Sequence, residues 1–119
     1  MKRLSLLLLA AATAFAADSL TGAWTVTGDV MGNPVNSTCT FKQDEAGKLT
    51  GTCTGASGEQ AATGTVTDDK VTFQHGGEYQ GQALTITYTG KLGADGLLKG
   101  SISVQPFDVG GEFTAKKSQ

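Results

Sequence analysis

The sequence predicts an all-β domain: eight antiparallel strands, joined in chain order and closed into an up-and-down (meander) barrel. Three observations carry that reading. Beyond residue 20, apolar and polar residues alternate with a period of two, and no stretch has the apolar spacing of a helix. Short Gly/Asp/Asn clusters interrupt the alternation at intervals suited to hairpin turns. Folding the chain back at those clusters sets apolar residues on one face and repeatedly places an aromatic ring opposite a glycine.

The chain opens on an export signal. Lys2 and Arg3 give a positive start, Leu4 to Ala14 form an apolar run, and Ala14-Phe15-Ala16 offers small residues where a signal peptidase cuts. The run is shorter than the roughly 20 residues of a membrane-spanning helix. Residues 1–16 are therefore assigned to a signal peptide, with Ala17 as a competing cleavage point, and residues 17–119 to a single β-barrel domain. Export places the domain in the periplasm or outside the cell.

The strands are expected at 21–28, 36–43, 48–54, 59–67, 70–76, 82–91, 97–104 and 109–116. A turn at Asp44-Glu45-Ala46-Gly47 sets Cys39 against Cys53, Phe41 against Gly51 and Gln43 against Leu49. A turn at Asp68-Asp69 sets Val66 against Val71, Gly64 against Phe73 and Ala62 against His75. A turn centred on Ala94 sets Leu84 against Val104, Ile86 against Ile102 and Tyr88 against Gly100. A turn at Gln105–Asp108 sets Ile102 beside Gly111 and Gly100 beside Phe113. Strand glycines opposite rings curve a sheet while keeping its interior filled. The opposite face is mostly threonine (Thr25, Thr38, Thr52, Thr65, Thr87 and their neighbours two residues away), which suits water. A membrane barrel needs an apolar outer band, so no membrane insertion is expected.

Directly opposed residues on antiparallel strands bring Cα atoms to about 4.5 Å in non-hydrogen-bonded pairs, within disulfide range. Cys39 and Cys53 are the two cysteines of the chain, and in an oxidising compartment they should form a structural disulfide. Cys-x-x-Cys redox spacing is absent. Without Lys2 and Arg3 the net charge falls from −2 to −4, and no basic stripe remains for nucleic acid.

The chemistry-bearing residues are few. His75 is the only histidine, and no Ser-His-Asp set or metal-ligand spacing can be built around it. His75-Gly76-Gly77-Glu78 offers an acid–base pair, but a solvated strand end explains it as well. No catalytic residue, metal site or cofactor is expected, and the protein is read as non-enzymatic.

Thr21-Gly22-Ala23-Trp24 resembles the Gly-x-Trp opening motif of lipocalins, avidins and their calycin relatives. In those families the tryptophan closes one barrel end beneath a basic residue of the last strand. The resemblance implies a calycin-like barrel with Lys116 or Lys117 in that place. The chain is shorter than a lipocalin, and Trp24 stands alone where avidins stack several tryptophans on biotin. A wider resemblance, through Lys42-Gln43-Asp44, Lys48-Leu49-Thr50-Gly51, Tyr88-Thr89-Gly90, Leu98-Lys99-Gly100 and Gly111-Glu112-Phe113-Thr114-Ala115, is to small exported bacterial barrel proteins without an assigned activity. It implies export and the fold, and no catalytic residue.

Two functional readings follow. In the first, a monomeric barrel binds a small apolar ligand at one end, with Trp24, His75, Tyr79 and Tyr88 as candidate ligand-binding residues among inward-facing Val26, Phe41, Phe73, Leu84, Ile86, Ile102 and Phe113. A cavity of about 300 Å³ marks the lower end of drug-sized sites, and a filled interior is the competing expectation. In the second, the barrel is a protein-binding module such as a periplasmic protease inhibitor, acting through its loops and an N-terminal arm, Ala17-Asp18-Ser19-Leu20.

Overall fold

The structure, a computed structural model, describes residues 19–118; the expected signal peptide lies outside the described residues. Eight strands follow one another: β1 (Gly22–Val30), β2 (Asn33–Gln43), β3 (Lys48–Gly55), β4 (Gly58–Thr67), β5 (Lys70–Tyr79), β6 (Gln82–Leu92), β7 (Leu97–Gln105) and β8 (Val109–Lys117). Each pairs antiparallel with the next, and β8 returns to β1, so the sheet closes as an up-and-down barrel. The predicted fold class is the one observed.

Strands that alternate in direction sort the turns into two sets. The β1–β2, β3–β4, β5–β6 and β7–β8 turns crown one end, here the open end. The other three turns and both ends of the described chain gather at the opposite, closed end.

Three predicted registers hold: Cys39 pairs with Cys53, Phe73 with Gly64, and Phe113 with Gly100. The β6–β7 register differs by two residues. Ile86 pairs with Val104, Tyr88 with Ile102, and Gly90 with Gly100. The cause is a tight turn, in which Gly96 N–H donates to the Gly93 carbonyl and Gly93 N–H to the Leu97 carbonyl. A slip of two residues leaves every inward side chain inward, so the alternation pattern cannot detect it. It also sets Gly90 against Gly100, opening the space that the Phe113 ring occupies: a Cβ on Gly90 would lie 3.1 Å from Phe113 Cζ.

Several strands outrun the prediction. β1 reaches Val30, β2 begins at Asn33, and β5 runs to Tyr79. The joining turns, Met31-Gly32 and Gln80-Gly81, hold both residues at positive φ (53° and 83°, then 51° and 82°). That geometry matches the twist of the flanking strands and makes the tightest hairpin. Met and Gln are unusual at its first position, which hid both turns in the sequence.

Four rings fill the barrel's waist. Phe73 stacks on Tyr88 with centroids 4.5 Å apart, and Phe41 and Phe113 meet that pair edge-on. The surrounding wall closes in at glycines: a Cβ on Gly51 would collide with the Thr40 carbonyl oxygen, and one on Gly100 with that of Thr89. The Cys39–Cys53 disulfide, with Cα atoms 4.0 Å apart, ties β2 to β3 beside the stack.

These contacts predict opposite outcomes for two strand glycines. Gly51→Ala must push apart the backbones of β2 and β3 and should cost about 2 kcal/mol or more in urea unfolding. Gly76→Ala meets the Gln60 side-chain oxygen at 3.2 Å and the Leu84 carbonyl oxygen at an ordinary 3.7 Å, and should stay within about 1 kcal/mol of the parent.

Candidate functional site

The two ends of the barrel are built differently. At the closed end Leu20 is fully buried, a plug inserted beneath the first strand. Its N–H donates to Gln43 Oε1 at 2.8 Å, and its carbonyl accepts from Trp24 Nε1 at 2.9 Å. Lys117 lies over the Trp24 ring, Nζ 5.9 Å from the centroid, and donates to the Ser19 carbonyl. Trp24 and Lys117 thus take the arrangement that the Gly-x-Trp resemblance implies. Ser19 and Leu20, half of the proposed inhibitory arm, are bound into this plug.

The open end is less filled. The inward faces there carry His75, Gly77, Leu84 and Ile86, none of them fully buried. Above the ring stack they leave a cavity of about 170 Å³, lined by Val35, Ser37, Cys53, Gln60, His75, Ile86 and Tyr88 and by the β3–β4 turn, Ala56-Ser57. This is short of a drug-sized site and slightly more than the roughly 150 Å³ in which a protein can hold benzene. The interior is therefore neither wholly filled nor large. A wider concavity of about 800 Å³ lies on the outer wall over Gly28 and Gly100. It is a trough of outward-facing side chains such as Thr27, Asp29, Lys99 and Glu112, broadly open to solvent.

A directed chain of hydrogen bonds sets the cavity's polar floor. His75 Nδ1 lies 2.6 Å from the Gly76 carbonyl, which can only accept, so Nδ1 carries the proton. In the neutral ring Nε2 then accepts from the Tyr88 hydroxyl, 3.0 Å away. Burial among the rings pushes the Tyr88 phenol up to about 12, against its ordinary 10.0, while the nearby Ser37 hydroxyl pulls slightly the other way. Ser37 Oγ is itself buried and makes no hydrogen bond of good geometry. A buried hydroxyl without a partner costs free energy, and a ligand atom can supply the partner.

Of the four residues singled out from the sequence, the structure brings two together, His75 and Tyr88. Trp24 belongs to the closed end. Tyr79 is exposed on the open rim, edge-on to Phe107 at 6.1 Å, and does not line the cavity. Sequence reading missed Ser37 and Gln60. Ser37 stands four residues before Phe41 on the inward face of β2, and that parity was the available signal.

No protein-family model matches the chain, and no curated protein matches its sequence. Among solved structures, the barrel is similar to a redesigned beta barrel, mFAP1, bound to DFHBI, with TM-score 0.59 and 16% identity over 82% of this chain and 94% of that one. It is equally similar to EF1p2_mFAP2b bound to DFHBI, with TM-score 0.59 and 14% identity over 87% and 97% of the two chains. At these identities the likeness extends to the fold.

The buried phenol gives the site a signature in alkali. The fold favours neutral Tyr88, so its contribution to stability is complete below pH 10 and is lost as pH rises through about 12. Phenolate absorbance should show a late step near pH 12 that coincides with loss of stability, and Tyr88→Phe should remove that step.

Proposed function

We propose that this protein is an exported, non-enzymatic barrel that binds one small, largely apolar ligand, of about one aromatic ring, in its open end. The observation that carries the reading is a ring-sized cavity whose wall holds the buried Ser37 hydroxyl, with the Tyr88 phenol beside it and no hydrogen bond of good geometry. A tightly packed core has no use for such a group. A binding site does, because one placed donor or acceptor orients an otherwise apolar ligand.

The walls suit that ligand. Val35, Ile86, the disulfide and the Tyr88 ring offer apolar surface, while Ser37 and Gln60 offer polar atoms. Both nitrogens of His75 are engaged within the protein, so it acts here as the brace that holds the phenol in place. Two similar barrels are described as bound to DFHBI, which supports a barrel of this size accepting a small organic molecule. The cross-strand disulfide suits the oxidising compartment to which a signal peptide would send the chain.

Titration of the mature chain with phenol and with toluene, followed by amide chemical shifts, tests this. Both should shift Ser37, His75 and Ile86, and phenol should bind more tightly. Ser37→Ala should weaken phenol about fivefold, the worth of one neutral hydrogen bond, and leave toluene unchanged. Absence of shifts with either compound, at concentrations near their solubility, would count against the proposal.

A further inference from the structure

The hydrogen bonds on the cavity floor run in one direction. Their anchor is the Gly76 carbonyl, which has lone pairs and no proton to give, 2.6 Å from His75 Nδ1. The proton of the neutral ring is therefore held at Nδ1, and bare Nε2 takes the single proton of the Tyr88 hydroxyl, 3.0 Å away. The Ser37 hydroxyl stands next in line, beside the phenol, without a hydrogen bond of good geometry. With the phenol's proton committed to His75, the one role open to Ser37 toward Tyr88 is that of donor. The chain then runs from Ser37 through Tyr88 and His75 to Gly76, each link donating to the next. Its free end is the Ser37 oxygen, left with lone pairs alone, and bonds aligned in this way strengthen one another.

Gln60 adds a second acceptor to the wall. Its Nε2 donates to the Ser57 carbonyl at 3.3 Å, which commits one of its two N–H groups and leaves Oε1 free to accept. Among the described residues no Asp, Glu, Lys or Arg lines the cavity. A charged ligand would lose its hydration there without gaining a counter-charge.

We propose that the open-end cavity selects neutral rings that carry a hydrogen-bond donor, O–H or N–H, over rings of the same size that carry only an acceptor. His75 sets this selectivity as a positioning residue: its bare Nε2 holds the phenol's proton away from the ligand. This rests on the binding role inferred above and names the ligand's chemistry.

Cyclohexanol and cyclohexanone test it, two rings of one size of which the alcohol donates and the ketone only accepts. Each is titrated into the mature chain, beside toluene, and followed by amide chemical shifts at about pH 8, where an ordinary imidazole is neutral. The alcohol should bind about fivefold more tightly than the ketone, the worth of one neutral hydrogen bond. Ring-nitrogen chemical shifts of His75 in the free protein should show the proton on Nδ1. In His75→Phe the phenol's proton is released toward the cavity, and the alcohol-to-ketone preference should vanish or invert. Ketone binding as tight as the alcohol's, or a proton on Nε2, overturns the donor selectivity; toluene shifting the same amides then leaves the cavity reading intact. A preference unaltered in His75→Phe overturns the part given to His75, and should that variant fail to fold, the ring-nitrogen shifts decide the same point. Failure of all three compounds to bind overturns both.

Discussion

Backbone proximity at strand glycines is the constraint on which the rest of this barrel depends. Four aromatic rings occupy its waist, and they fit because the wall comes close around them where side chains are missing. At Gly51, Gly64, Gly100 and Gly111 a Cβ would collide with a carbonyl oxygen of the neighbouring strand. The glycines therefore do more than make room for rings. They let adjacent strands bend toward each other, which is the curvature that closing an eight-stranded sheet requires. The disulfide lies within the same region, Cys39 and Cys53 standing two residues beyond the Phe41–Gly51 pair.

The ring stack also divides the interior. Below it, Leu20, Trp24, Leu49 and Leu98 fill the closed end, and the amino-terminal residues are stitched to β2 and β8. Above it, Tyr88 is at once the top ring of the core and the floor of the cavity. Its ring stacks on Phe73, while its hydroxyl reaches His75. A group shared in this way is held rigidly by packing on one side, which fixes the position of its polar atom on the other. The candidate site is thus a by-product of the same contacts that stabilise the barrel.

Much of this was legible in the chain. Alternation separated inward from outward faces, turn clusters placed the hairpins, and pairing Phe41, Phe73 and Phe113 with glycines gave three registers correctly. What escaped has physical reasons. A two-residue slip at β6–β7 preserves parity, so only the hydrogen bonds of the Gly93–Gly96 turn decide it. Met31-Gly32 and Gln80-Gly81 adopt a turn their composition does not advertise. Tyr79 and Trp24 were grouped with His75 and Tyr88 because aromatic character says nothing about height along the barrel axis. Ser37 escaped because a serine gains meaning only from what surrounds it, here a cavity wall and the neighbouring Tyr88 phenol.

Height along the axis is also what makes the charges meaningful. In the linear sequence, acidic and basic residues are interspersed and sum to a small net charge. Antiparallel winding sorts the lysines but not the carboxylates: residues near alternate turns share an end, so lysines at 42, 48, 70, 91, 99, 116 and 117 gather in the closed half, while five carboxylates stand at each end. Surface lysines scattered without selection would populate both ends and blunt the field at the mouth. Their absence from the half that holds the cavity, the exposed apolar side chains and five carboxylates gives that end a polarity no single residue reveals. The two ends therefore carry different physics. One is plugged and holds the seven lysines from Lys42 to Lys117 beside five carboxylates, and the other is open and holds five carboxylates and no lysine.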